Sequence, residues 1–277
     1  MSEAVLIAGP WVGEFGWELF AWQAYIRSLS EHYDKTIILC RQGSIPLYED
    51  FADQFIESSP LLGLADSFFM HGVDPREILK SCLEEHRGLL AEGTTLVPPR
   101  RIGSPPFTPC TQPEQFGRNV ITPRYIQFGT KANKICDYIF HIRSRELRKE
   151  DNWDLDNWRS LRDLLQTEGH TIACIGTKKE ADHIEGTLDL RDEPLGDVFT
   201  VVRNAACVFG PSSGPMHLAS LCGTAHVVWS KEGNRERYVN TWNPFQTPVL
   251  FLAEHSWHPS AEYVTHQFNQ WRHNETV

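Results

Sequence analysis

The residues best suited to chemistry lie in the run Gly210-Pro211-Ser212-Ser213-Gly214-Pro215-Met216-His217. It follows a short apolar stretch (206–209) and precedes Leu218, Ala219, Leu221 and Cys222, an apolar set at helical spacing. The stretch predicts a buried strand, a Gly/Ser turn and a helix. Pro215 suits the first helical turn, where an N–H would have no partner, and Gly223 suits a left-handed stop. The apolar run 225–229 predicts the next strand, completing a βαβ unit. Such a turn gathers free backbone N–H groups at the positive end of the helix dipole and favours an anion. Ser212 and Ser213 add hydroxyl donors, and His217 adds an imidazole in the first helical turn. A diphosphate would fit this chemistry. Plain punctuation of a βαβ unit is the alternative.

A second glycine-punctuated turn stands near the start, Gly9-Pro10-Trp11-Val12-Gly13-Glu14-Phe15-Gly16-Trp17-Glu18, between the apolar run 5–8 and a helix carrying Leu19, Phe20, Trp22, Tyr25, Ile26 and Leu29. Glu14 and Glu18 either compensate the helix dipole or act as a general base on an acceptor hydroxyl. A third site lies at 141–153, where Arg143, Arg145 and Lys149 follow the predicted strand 138–142 and could clamp a phosphate or carboxylate, or simply be solvated. Gly176-Thr177-Lys178-Lys179-Glu180 follows the strand 171–175 and predicts a loop opening a helix, with Glu180 on a ribose hydroxyl or on its own helix end.

The run Gly-Pro-Ser-Ser-Gly-Pro-Met-His-Leu-Ala with Gly223-Thr224-Ala225 resembles the Asp-Thr-Gly-x-x-His-Leu-Ala…Gly-Thr-Pro signature of the heptosyltransferase-like family (glycosyltransferase family 9-like). Gly214, His217, Leu218, Ala219, Gly223 and Thr224 match; Ser212 replaces the acidic position. Ser144-Arg145, Lys149 and Trp153 are loosely similar to the family's Ser-Arg-x-x-Lys-x-Trp element. His141-Ile142-Arg143 is similar to the start found in fucosyltransferase-like proteins of the same fold. The family's catalytic Asp, in a Leu-Gly-Asp turn, corresponds to Glu14 when the Gly-acid pair is matched, and to Glu18 when counted back from the helix end. Gly13-Glu14 keeps the pair intact and is preferred.

The resemblance implies the GT-B fold: α/β, two Rossmann-like halves facing across a cleft. The expected division is an acceptor-side domain over 1–125, a donor-binding domain over 126–255, and a closing helix over 256–277 that packs back on the first domain. It implies a nucleotide-sugar-dependent glycosyltransferase, with the nucleotide-diphosphate sugar as co-substrate and no other cofactor. Backbone amides, His217 and nearby cations would replace a metal at the leaving diphosphate; the nearest Asp-x-Asp string, Asp154-Leu155-Asp156, reads as a helix cap. The acceptor would be a saccharide or lipopolysaccharide-like hydroxyl in preference to DNA. A polysaccharide pyruvyl transferase, a DNA-base glycosyltransferase and a non-catalytic nucleotide-binding module are the competing readings.

Composition is that of an ordinary globular chain. The chain has 277 residues, 41% hydrophobic and 22% charged, and a formal charge of −10 that disfavours a broad nucleic-acid surface. No apolar run approaches the ~20 residues of a membrane span. The N-terminus reads as a first strand without signal-peptide features. Seven scattered cysteines lack Cys-x-x-Cys pairing, and Cys40, Cys174, Cys207 and Cys222 sit in apolar runs, which suits a reducing cytoplasm. Residues 48–55 and 74–91 read as helices, and 96–123, rich in Pro and Gly, as a long loop with Arg100 and Arg101. Strands and helices alternate from about 126 to 229, as in half of a doubly wound sheet. The His-rich tail lacks ligand spacing.

Overall fold

The computed structural model describes residues 3–11, 13–41, 43–57, 80–81, 83–89, 92–98 and 113–274. The chain forms two compact units, Met1–Tyr125 and Ile126–Val277.

In the first unit, β1 (Val5–Ala8) pairs in parallel with β2 (Lys35–Cys40) and β4 (Thr94–Val97), and β2 pairs with β3 (Gln54–Glu57), giving the order β3-β2-β1-β4. Every residue of β1 is buried, as a central parallel strand covered on both faces requires. Val5, Ile7, Ile37, Leu39, Ile56 and Leu83 share one core cluster. Gly9 ends β1 at φ +111°, and a Cβ there would stand 2.1 Å from the Leu39 carbonyl oxygen. Only glycine fits this approach.

A helical stretch then runs through α1 (Phe15–Trp17), a π-helical turn (Glu18–Trp22) and α2 (Gln23–Ser30). Leu19, Phe20, Ala24, Ile26 and Leu29 are fully buried. Arg27 is buried too, paired with Asp50 at 2.7 Å and donating to the Leu47 carbonyl at 3.0 Å. That pairing answers the desolvation cost of an interior charge.

The helix expected over 48–55 is replaced by a 3-10 turn (Ile45–Leu47) and β3. Tyr48 is drawn inward to Glu18, and Phe55 and Ile56 extend the sheet beside Ile38 and Leu39. Of the expected 74–91 helix, the described residues 80–81 and 83–85 are helical and Arg87–Leu89 form a 3-10 turn. Residues 99–112, which include Arg100, Arg101 and Cys110, lie outside the described residues, as does Cys82. The expected 96–123 loop holds a short hairpin, β5 (Glu114–Phe116) with β6 (Asn119–Ile121).

The second unit is a six-stranded parallel sheet in the order β12-β11-β10-β7-β8-β9. Its strands are β7 (Tyr138–Phe140), β8 (Ile172–Gly176), β9 (Leu188–Arg191), β10 (Cys207–Pro211), β11 (His226–Trp229) and β12 (Val249–Leu252). Helices α3 (Leu155–Thr167), α4 (Leu195–Asn204), α5 (Gly214–Cys222) and α6 (Ala261–Asn274) complete the unit. Asp154 caps α3, accepting the Asp156 N–H at 2.7 Å. Gly223 closes α5 at φ +73°. The chain moves outward from β7 to β9, then returns to lay β10 on the other side of β7. The switch point therefore lies between β7 and β10, where open α/β sheets place ligands outside the strands' carboxyl ends.

Trp153, Trp158 and Trp229 pack with ring centroids 4.6–5.3 Å apart in the core of this unit. Within the second unit, the closing helix α6 buries Ala261, Val264 and Phe268. Phe268 meets Phe209 at 4.9 Å, Arg272 pairs with Glu168 on the end of α3 at 2.9 Å, and the Trp153 indole donates to the Pro259 carbonyl at 2.7 Å. Burying a Phe side chain stabilises by about 1.5–3 kcal/mol, which suffices to dock α6 where Phe268 finds this core.

Candidate functional site

In the second unit the 212–217 turn follows β10 directly. The His217 N–H makes the first intrahelical bond, to the Ser213 carbonyl at 3.2 Å, so the Gly214 and Met216 amides are first-turn donors without an intrahelical acceptor. Ser213 caps α5 with an extended backbone, and its side chain makes no cap bond. Its Oγ is buried without a hydrogen-bond partner among the described residues, the state of a donor built for something else. Pro215 occupies the first helical turn as its ring predicts.

The turn is fixed from outside by a residue that sequence reasoning missed. Tyr238, buried in a π-helical turn (Arg237–Thr241), accepts the Ser213 N–H at 3.0 Å and donates to Ser212 Oγ at 3.1 Å. Its ring stacks on the His217 imidazole at 4.0 Å, and Trp242 meets the same imidazole at 4.6 Å. Burial, then the nearby charges of Arg237 and His226, hold His217 well below its ordinary pKa. At neutral pH it is an uncharged hydrogen-bonding group. No local spacing in the sequence ties Tyr238 to residue 213, because the two lie 25 positions apart.

The loop after β7 stands on the other side of the switch point, tied to β10 by the His141 N–H on the Phe209 carbonyl at 3.0 Å. Here the expected cations divide. Arg143 is buried and donates to the Arg148 carbonyl at 3.0 Å, to the Leu147 carbonyl at 3.3 Å and to Asn152 Oδ1. These bonds pin its own loop. Burial pulls its pKa down to about 10. Arg145 is less buried, 3.7 Å from Glu180, and Lys149 is exposed on a 3-10 turn (Lys149–Asp151).

Gly176 ends β8 at φ +129°, against Ala181 and His141. No helix follows it. Thr177 accepts the Glu180 and Ala181 N–H groups in a turn, while Ser144 donates to Glu180 and Asp182 to Ile142, so the segment is claimed by the β7 loop. Gly176, Thr177, Glu180 and Arg145 are thereby gathered at one corner of the sheet edge.

In the first unit, the 9–14 turn follows β1 at the switch point between β1 and β4. Glu14 caps α1 and is partly exposed; its carbonyl accepts from Trp17 and Glu18. Glu18 is different. It is fully buried, its carboxylate held by Arg41 and by the Tyr48 hydroxyl at 2.8 Å. Burial alone would lower the pKa of Arg41, but Glu18 more than offsets it, and burial beside Glu18 pushes Tyr48 up. Arg41 also donates to the Gly13 carbonyl at 3.3 Å, tying the turn to this buried trio. Among the described residues no group of three or more His, Cys, Asp or Glu side chains gathers to hold a metal ion.

Comparison with solved structures identifies the fold. It is the heptosyltransferase fold. The chain is similar to the ADP-heptose LPS heptosyltransferase II of E. coli at a TM-score of 0.61 and 13% identity, over 99% of this chain and 100% of that one. It is similar to a family 9 glycosyltransferase from Veillonella parvula (TM-score 0.61, 12% identity, 97% and 96% covered) and to E. coli heptosyltransferase WaaC with ADP (0.59, 12%, 96% and 99%). No protein-family model matches the chain, and no curated protein matches it by sequence. Among the described residues no helix is long and apolar enough to cross a membrane.

Proposed function

We propose that the protein is a glycosyltransferase that moves a sugar from a nucleoside-diphosphate donor to an acceptor hydroxyl without a metal ion. One observation carries the reading. In a fold shared over almost the whole chain with heptosyltransferases, a partly exposed acid follows β1 and a donor-rich turn follows β10, each at the switch point of its own sheet.

In this GT-B reading the first unit is the acceptor side and the second the donor side. The diphosphate sits on the Gly214 and Met216 amides, the Ser212 and Ser213 hydroxyls and the neutral His217 imidazole. Arg145 and Lys149 contribute charge, and Gly176, Thr177 and Glu180 meet the nucleoside. Glu14 takes the acceptor proton while the acceptor oxygen bonds to the anomeric carbon; the bond from that carbon to the phosphate oxygen breaks, and its electron pair leaves with the diphosphate. Preorganised donors around that charge lower the barrier. With a formal charge of −10, a saccharide or lipopolysaccharide-like acceptor is favoured over DNA. The buried cysteines suit the cytoplasm.

The test is release of nucleoside diphosphate from ADP-, UDP- and GDP-sugars with saccharide acceptors, in EDTA and again with magnesium. Release in EDTA by one donor class supports the reading. Release only with magnesium overturns the metal-free part, and none under either condition overturns the whole.

A further inference from the structure

The Tyr238 hydroxyl holds the 212–217 turn at two points, and its single proton gives that contact a direction. The phenol oxygen accepts the Ser213 N–H at 3.0 Å. Its proton has two acceptors in reach, Ser212 Oγ at 3.1 Å and the Ser213 carbonyl at 3.3 Å. The carbonyl already takes the His217 N–H at 3.2 Å, and Ser212 Oγ is the nearer. Burial raises the Tyr238 pKa to about 12, so the proton stays on the phenol at neutral pH. Ser212 is fixed from behind as well, its N–H donating to the Trp229 carbonyl at the end of β11 at 3.1 Å. Once Ser212 Oγ accepts from Tyr238, its own proton must be given elsewhere. Among the described residues that hydroxyl makes no second hydrogen bond, and Ser212 is partly exposed.

We propose that Tyr238 is a positioning residue of the donor site, which turns the Ser212 hydroxyl proton outward onto a phosphate oxygen of the donor. The same contact withdraws the Ser213 amide from the ligand and leaves it the Gly214 and Met216 amides. Amide, phenol and serine form one relay in which each group donates to the next, and hydrogen bonds in such a chain polarise one another. Stacking on the His217 imidazole at 4.0 Å keeps the phenol in place. The nature of the ligand rests on the glycosyl-transfer reading; the relay itself is testable apart from it.

The experiment is a double-mutant cycle read by calorimetric titration of the full chain with inorganic pyrophosphate, in wild type, Tyr238→Phe, Ser212→Ala and the double variant. Tyr238→Phe keeps the ring on His217 and removes only the hydroxyl. Loss of a charge-assisted bond should weaken binding about tenfold in Ser212→Ala, and loss of its orientation about fivefold in Tyr238→Phe. In the Ser212→Ala background, Tyr238→Phe should weaken binding less than about twofold, because the relay is already broken. A phenol that merely packs would give the same loss in both backgrounds. Should Tyr238→Phe not fold, Tyr238→3-fluorotyrosine keeps both bonds with a stronger donor; it should tighten binding when Ser212 is present and not in Ser212→Ala. Equal responses in the two backgrounds overturn the assignment, as does unchanged affinity in the Tyr238 variant or absence of pyrophosphate binding by wild type. Coupled responses without turnover of any nucleotide sugar keep the relay and overturn the reaction.

Discussion

Tyr48 donates to Glu18 Oε1 at 2.8 Å, joining the segment after β2 to the first turn of the π-helical stretch. With Arg41 on its other oxygen, Glu18 is a buried counter-ion. Arg41 in turn holds the Gly13 carbonyl, one residue before Glu14. On the proposed reading Glu18 and Arg41 position the turn and Glu14 acts as the base.

Exchange of the two glutamates should therefore separate the roles. Glu14→Gln is expected to lower kcat by about 10²–10⁴ with little change in stability. Glu18→Gln is expected to destabilise the fold by about 3–5 kcal/mol, since it strands the charge of Arg41. Denaturant titration beside steady-state kinetics checks both. A fully active Glu14→Gln enzyme would remove it as the base.

Stability should fall on mild acidification. Burial depresses His141 and His226 to about 4 against an ordinary value of 6.5, and holds His217 well below that value too. The unfolded chain binds these protons first, so the stabilisation is complete above about pH 6.5 and is lost as pH falls towards the folded-state values. His141 and His226 should each contribute a loss of about 2 kcal/mol at pH 5. Unfolding free energies at pH 7 and pH 5 test this, and His226→Asn should flatten the slope. An unchanged slope in that variant would show that His226 is not the depressed group.

The cations of the β7 loop should part company. Arg143→Gln leaves the Leu147 and Arg148 carbonyls without their donor and should cost about 1–3 kcal/mol of stability. Arg145→Gln and Lys149→Gln should each change stability by about 0.5 kcal/mol or less and raise the donor KM. Thermal melts and donor titrations of the three variants decide it; a donor KM raised only in Arg143→Gln would reverse the assignment.

Gly9→Ala should be severely destabilising. Its φ of +111° and the 2.1 Å approach of a Cβ to the Leu39 carbonyl oxygen force β1 and β2 apart. A loss above about 3 kcal/mol is expected. Gly43→Ala, also at positive φ but with nothing near its Cβ, should cost about 1 kcal/mol. Equal losses in the two variants would show that backbone strain alone, without the close contact, sets the cost.

Local patterns were legible in the sequence because they depend on neighbours in the chain. Apolar runs marked β1, β8, β10 and β11, Pro215 and Gly223 bounded α5, and Asp154 announced its own cap. The donor turn at 212–217 could be read for the same reason. Tertiary structure decided what each charged side chain does. Glu14 and Glu18 look alike in sequence, but the π-helical turn faces Glu18 inward towards Arg41 and Tyr48. Arg143 and Arg145 differ by two residues, yet one is consumed by carbonyls that only the folded loop supplies. Tyr238 reaches Ser213 because β10 and β11 are parallel neighbours, so their loops share one edge. The helix expected after Gly176 gave way to a turn held by the β7 loop. Chain pattern marks elements whose stabilising contacts are local; long-range hydrogen bonds and burial, paid in desolvation, decide the rest and assign the polar groups their partners.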